Sequence, residues 1–242
     1  MPIIRARDRI ADMPGDRLRR VLAELSDGDG PWPAERLCAV FPRIAGVEGA
    51  GVMLMSGDIP SGSLCTSDDV SHLIEELQYT LGEGPCVDAY QQNRVVTEPD
   101  LAHPWITRWL AFTPPALQAG VRAVFGFPLR VGTVRLGALN LYRDRPGPLG
   151  ADQHADALVL ADVTARWVLE AQARAPDGAV PEELETGADF HFSVHNAAGI
   201  VSVQENISIT EALIRLRAFA YGHDRLLAEV AQDVIAHRLR LG

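Results

Sequence analysis

The chain has 242 residues, room for one large or two modest domains, and 47% of them are apolar, ample for a core. No run of about eighteen apolar residues occurs, and no apolar stretch follows Arg5, Arg7 and Arg9. A transmembrane helix and a secretory signal are thereby excluded, and the expectation is a cytoplasmic protein. Net charge is -10, and all 22 basic residues are arginine. Residues 189–242 hold five arginines against six acids, for -1, leaving 17 against 26, or -9, elsewhere. Phosphate binding normally shows a basic excess, so nonspecific nucleic-acid binding is excluded as a main activity. Any nucleic-acid contact must come from a few placed arginines. Cys38, Cys65 and Cys86 have no zinc spacing, and their odd number fits reduced thiols.

Residues 1–15 are charged and contain proline, and read as a loosely held lead-in. A helix is predicted over 16–25, with Leu18, Val21, Leu22 and Leu25 on one face. A second, over 33–44, should be interrupted near Pro42. Residues 49–56 read as a strand, Gly57-Asp58 as the start of a turn, and 63–66 as a short partner strand. The helix predicted over 68–79 should turn Val70, Leu73, Ile74 and Leu77 inward. A short strand is predicted at 94–97, then a helix over 105–112 ended by Pro114-Pro115. Two clear strands, 122–130 and 134–142, flank a tight turn at Gly132. In the long helix over 151–173, Leu158, Ala161, Ala165, Val168 and Gln172 fall near a heptad seam. Residues 174–188 combine proline, glycine and acids and read as a linker. Helices ahead of an antiparallel sheet, closed by a long helix, make an α+β sensor-type domain over 16–173.

Within it, Gln78-Tyr79-Thr80-Leu81-Gly82-Glu83-Gly84-Pro85-Cys86-Val87-Asp88-Ala89 is the most distinctive stretch. Gly120-Val121-Arg122-Ala123-Val124-Phe125-Gly126-Phe127-Pro128-Leu129 and Leu136-Gly137-Ala138-Leu139-Asn140-Leu141 follow it. On these motifs residues 18–172 resemble a GAF domain. The resemblance implies a curved antiparallel sheet, a ligand pocket on one face and homodimerisation through terminal helices. Gly82, Glu83, Gly84, Pro85 and Cys86 are the candidate pocket residues; a turn set by backbone geometry explains the same loop. Cys86 before a helix start fits either a redox-sensing thiol or a small buried side chain. Cyclic-nucleotide GAF domains carry an Asn-Lys…Phe…Asp-Glu motif that a chain without lysine cannot match. No cofactor is evident. His72, His103 and His154 show no paired metal spacing, and His103, beside Pro104 and Trp105, reads as a packed loop residue. Trp105 and Trp109 read as core.

The last segment, 189–242, reads as three helices. The first, over 190–204, carries Phe190, Val194, Ala197 and Val201 on one face and Phe192, Gly199 and Val203 on the other. Apolar nearly all round, it should be buried or shared with a partner. Ser208 and Glu211 form a capping box at the start of the second, which buries Ile209, Ala212, Leu213, Leu216, Phe219 and Ala220. Asp224 should cap the third, which buries Leu227, Val230, Ala231, Val234 and Ile235. Such a small bundle should lean on a neighbour or a second copy.

Ala197-Ala198-Gly199-Ile200, Ser208-Ile209-Thr210-Glu211-Ala212, Leu216-Arg217, Ala220, Arg225, Leu227 and Glu229-Val230-Ala231 occur in an order and spacing that resemble the ANTAR domain. That resemblance implies an RNA-binding module of transcription antitermination regulators, taking paired hairpins in transcript leaders as a homodimer. The candidate RNA contacts are Arg215, Arg217, Tyr221, His223, Arg225, Ala197 and Gly199. Arg217 and Tyr221, four residues apart, join Ile214 and Ala218 in an expected outward strip suited to looped-out bases. Arg215 follows Glu211 by four residues, the spacing of a helix ion pair. The combined expectation is a non-enzymatic GAF–ANTAR regulator with a small-molecule or other signal at its sensor. A DNA-binding regulator, a protein-interaction adaptor and a GAF-fold methionine sulfoxide reductase remain open.

Overall fold

A computed structural model describes residues 14–25, 34–56, 59–104, 108–174, 188–223 and 225–241. Trp105, Asp224, residues 1–13 of the lead-in and residues 175–187 of the linker lie outside them. Helices α1 (Pro14–Leu25) and α2 (Ala34–Ala45) precede strands β1 (Gly49–Ser56) and β2 (Ile59–Thr66). Then come α3 (Asp69–Leu81), α4 (Pro85–Gln92), β3 (Val96–Glu98), α5 (Thr113–Gln118), β4 (Ala123–Val131), β5 (Val134–Arg143) and α6 (Ala151–Arg174). The strands form one antiparallel sheet in the order β2-β1-β5-β4-β3.

Strand alternation gives the sheet two different faces. Val52, Phe125, Phe127, Leu139 and Leu141 enter one core with α1, α2 and α6. Met53, Val124, Ala138 and Tyr142 enter another, with α3, α4 and α5. The apolar run Ala161, Ala165, Val168 is spent on the first of these cores, so it does not form a free coiled-coil seam. On α1 the inward stripe is Arg17, Val21 and Leu25, whereas Leu18 is exposed. The Arg17 guanidinium reaches Asp156 of α6 at 3.0 Å, and that pairing turns the helix.

Three expectations are corrected. Helix α2 runs on through Pro42, because Leu37, Cys38, Phe41 and Ala45 seat both of its halves on the sheet; packing outweighs the roughly 3 kcal/mol cost of an interior proline. Pro114 and Pro115 do not end a helix but begin α5, where no backbone N–H is needed and the proline φ already suits a helix. Trp109, expected inside a helix, has a φ of +56° and lies in the non-helical lead to α5.

The cysteines are not all reduced thiols. Cys38 of α2 and Cys65 of β2 form a disulfide, and Cys86 alone is free. Positions 27 apart in sequence are brought together because α2 lies across the β1–β2 pair.

Helices α7 (Ala188–Glu205), α8 (Ile209–Gly222) and α9 (Leu227–Ile235) form the C-terminal bundle. Val194, Ala197, Ala198 and Val201 pack on Leu213, Leu216, Ala220, Leu227, Val230 and Val234. This core is continuous with the sheet face that holds Met53, Ile74 and Tyr79. So α7 is shared between bundle and sensor, the reason for its nearly all-round apolar character, although Val203 is exposed. Ser208 caps α8 by accepting the Glu211 N–H at 3.1 Å, while the Glu211 carboxylate pairs with Arg215. Helix α9 starts at Leu227, three residues beyond the expected Asp224, with Leu226 as its cap residue.

Closing a loop of this length restricts the unfolded chain by about 3 kcal/mol. Reduction, or Cys65→Ser, should therefore lower the urea midpoint by an amount consistent with that loss. An unchanged midpoint would mean that the bridge does not constrain the chain.

Candidate sensory site

The side of α3 that meets the sheet is polar. Ser71, Glu75, Gln78 and Tyr79 are buried with Ile74, whereas Leu73, expected inside, is exposed. The start of α3 explains this rotation. Asp68 accepts the Ser71 N–H at 2.7 Å, and the Ser71 hydroxyl accepts the Asp68 N–H at 2.9 Å. The Tyr142 hydroxyl of β5 donates to the same carboxylate at 3.1 Å, tying the cap to the sheet. One turn on, the Glu75 carboxylate lies over Gly51: a Cβ there would stand 2.6 Å from Oε1. Glycine at 51 makes the seat for a buried acid.

Beside Glu75 lies Asn140, fully buried in β5. Its amide is close enough to favour the carboxylate, but without hydrogen-bond geometry. Gln78 uses Oε1 to accept the Cys86 N–H at 2.7 Å. Both Glu75 oxygens, Gln78 Nε2 and both Asn140 amide atoms have no hydrogen-bond partner among the described residues. Buried polar atoms are normally satisfied, and leaving one unmade costs about 1–3 kcal/mol. Five such atoms, on Glu75, Gln78 and Asn140, make this the candidate site.

Burial first, then the Glu76 charge, pushes the Glu75 carboxyl up to about 8 against the opposing effect of Asn140. Burial alone raises Glu76 to about 7. The Cys86 thiol is pushed well above its usual range by burial and by Glu75, and its sulfur lies 3.9 Å from the Ala138 carbonyl oxygen. It is a protonated, packed thiol rather than a nucleophile.

Of the five predicted loop residues, Gly82, Gly84 and Cys86 touch Gln78. Gly82 closes α3 with φ +66°, its N–H donating to the Gln78 carbonyl at 2.9 Å. Gly84, at φ +134°, lies against the Gln78 side chain, and Pro85 opens α4. Glu83 clamps the segment before α5: its Oε1 accepts the N–H groups of Ala111 and Phe112 at 2.7 and 2.8 Å. Trp109 is buried there, donating from its indole to Asp88 at 3.1 Å. Sequence reasoning missed Glu75, Gln78 and Asn140. The signals were a polar residue in an apolar strand and polar residues at helical spacing.

His103 is 82% exposed, with its ring 3.1 Å from Asp100, and is not a packed residue. No cluster of three or more metal-ligating side chains occurs among the described residues. None of their helices is long and apolar enough to cross a membrane.

The C-terminal candidates scatter. Ala197 is fully buried between helices and faces no solvent, while Gly199 has open space beside it. Ile214 and Tyr221 are exposed, at 58% and 67%. Arg217 leaves that strip and turns inward toward the sensor, its carbon Cζ 5.8 Å from the Tyr79 ring centre. Arg215 pairs with Glu211 at 3.3 Å and Glu205 at 3.6 Å. Arg225 reaches Asp233 at 2.8 Å, and His223 stacks on Phe219 at 3.9 Å.

In the unfolded chain Glu75 releases its proton near 4.5, in the fold near 8, so the folded state holds the extra proton between these values. Stability should fall as pH rises through that window, by at most roughly 5 kcal/mol. Glu75→Gln should flatten the profile and raise Tm above the parent's at pH 8. Parallel Tm profiles for parent and variant would show that Glu75 is not held protonated.

A GAF domain model matches residues 34–163, more than half of the chain. The GAF domain of a phosphoenolpyruvate-protein phosphotransferase from Coxiella burnetii superposes with a TM-score of 0.50 at 16% identity, over 66% of this chain and 95% of that one. The corresponding Acinetobacter domain gives 0.47 at 14%, over 68% and 98%. A type II free methionine-R-sulfoxide reductase from Thermoplasma acidophilum gives 0.45 at 16%, over 64% and 96%. At these identities the likeness concerns the fold alone. No curated protein matches the chain. With a five-stranded antiparallel sheet, helices on both faces and this match, the chain belongs to the GAF domain family.

Proposed function

We propose that this protein is a signal-responsive, non-enzymatic regulator that binds hairpins in nascent RNA through residues 189–242, in the manner of ANTAR modules. Its signal enters at the Glu75–Gln78–Asn140 patch. The observation that carries the RNA reading is the outer stripe of α8, where Ile214, Ala218 and Tyr221 are exposed at successive helical turns. Leu226, also exposed, follows the end of the helix. Flipped bases stack on such apolar and aromatic surfaces.

Arg215 and Arg225 stand beside this stripe in partly exposed ion pairs. Pairs of this kind are worth about 1 kcal/mol or less, so RNA phosphate competes readily for both guanidinium groups. Two copies acting on two hairpins would supply the affinity that a bundle of net charge -1 lacks. A nascent transcript places the protein in the cytoplasm. The one free thiol among the described residues, Cys86, is enclosed, which argues against it as a reductase nucleophile.

Hairpin RNA with a small loop should bind at low salt, and duplex DNA of the same sequence should not. Tyr221→Ala should weaken hairpin binding by about 1–3 kcal/mol, roughly fivefold to 150-fold. Equal retention of duplex DNA, or indifference to every hairpin offered, would reject the proposal; an adaptor acting through the same stripe predicts the second result.

A further inference from the structure

The arginine missing from the outer stripe has a place of its own. Arg217 projects from α8 onto the C-terminal end of α3. A Cβ on Gly82 would lie 3.1 Å from one guanidinium nitrogen and 3.5 Å from its central carbon. The Tyr79 ring stands alongside, and His195 of α7 is near enough for the two positive groups to repel when the imidazole is protonated. Nε and Nη2 of Arg217 are buried without a hydrogen-bond partner among the described residues. The carbonyl end of a helix carries partial negative charge, so it attracts a guanidinium even without a paired carboxylate. A cation seated this way is held, but with hydrogen-bonding capacity unspent.

The seat belongs to the sensory helix. Gln78, whose side chain enters the polar patch, also supplies the carbonyl that receives the Gly82 N–H, and Tyr79 is the next residue. Whatever satisfies Glu75, Gln78 and Asn140 therefore acts within one helical turn of the surface on which Arg217 rests.

We propose that Arg217 is a latch that holds the C-terminal bundle closed on the sensor, and that an event at the polar patch releases it to contact RNA phosphate. The closure stands on the geometry of α3 and α8; what it withholds rests on the RNA reading above. In the closed form the bundle offers Ile214 and Tyr221 but not its one inward-turned arginine. RNA binding is thus set below its full strength until the last turn of α3 moves.

Two substitutions at Gly82, both bearing a side chain at the same left-handed φ, separate charge from backbone effects. In the full chain, Gly82→Lys should repel Arg217 and Gly82→Asp should pair with it. Phenylglyoxal modification of Arg217, followed by mass spectrometry, reports its exposure without RNA. The lysine variant should react about tenfold faster than the parent and bind hairpin RNA about tenfold more tightly; the aspartate variant should move both the other way. Shifts of the same sign in both variants, or none in either, would overturn the latch. Opposite shifts in reactivity, with no RNA bound by any form, uphold the latch and reject the RNA reading. Should neither variant fold, the parent decides: Arg217 must react far more slowly than the exposed Arg240, and equal rates would overturn the proposal.

Discussion

An acid side chain, Glu75, buried over a glycine is the constraint from which this half of the molecule follows. Glu75 can lie against β1 only because residue 51 has no side chain, and it reaches that seat only because the Asp68–Ser71 cap fixes how α3 is turned. That rotation places Gln78 on the Cys86 amide and leaves Leu73 in solvent.

The opposite face of the sheet supplies what the polar face forgoes. Phe125, Phe127, Leu139 and Leu141 are fully buried beneath α1, α2 and α6, and the Cys38–Cys65 bond ties α2 to the edge strand β2. A rigid apolar layer on one side lets the other keep unsatisfied groups within a stable fold. The bundle then covers part of the second face with Val194, Val201 and Leu216, in one continuous core with Ile74 and Tyr79. The GAF domain and the C-terminal bundle are therefore joined by packing, through α7 and the contact of α8 with α3.

Much of this was legible in the chain. Strand β1 was read at its observed limits, the β4–β5 hairpin to within a residue, and the helices α3, α6, α7 and α8 from their apolar spacing. The motif around Gly82-Glu83-Gly84-Pro85-Cys86 lies at the end of α3 that carries Gln78, but it gives no sign of the buried Glu75 and Asn140. Periodicity favours apolar residues as the inward set, and no local pattern says that a helix will bury its glutamate. The failures at Pro42 and at Pro114-Pro115 have a common origin: a proline's effect depends on which turn of a helix receives it, and packing decides that.

By itself the sequence determined the alternation of the strands, the amphipathic helices, the charge balance of the tail and the likeness to a GAF domain, because these are written in residues close along the chain. Three things waited for the tertiary structure: the bond between Cys38 and Cys65, the meeting of α3 with β1 and β5, and the inward turn of Arg217 onto Tyr79 and Gly82. Each joins positions far apart in sequence. Whether such groups meet is set by how layers pack and which face of a helix wins burial, and neither is a property of any single segment.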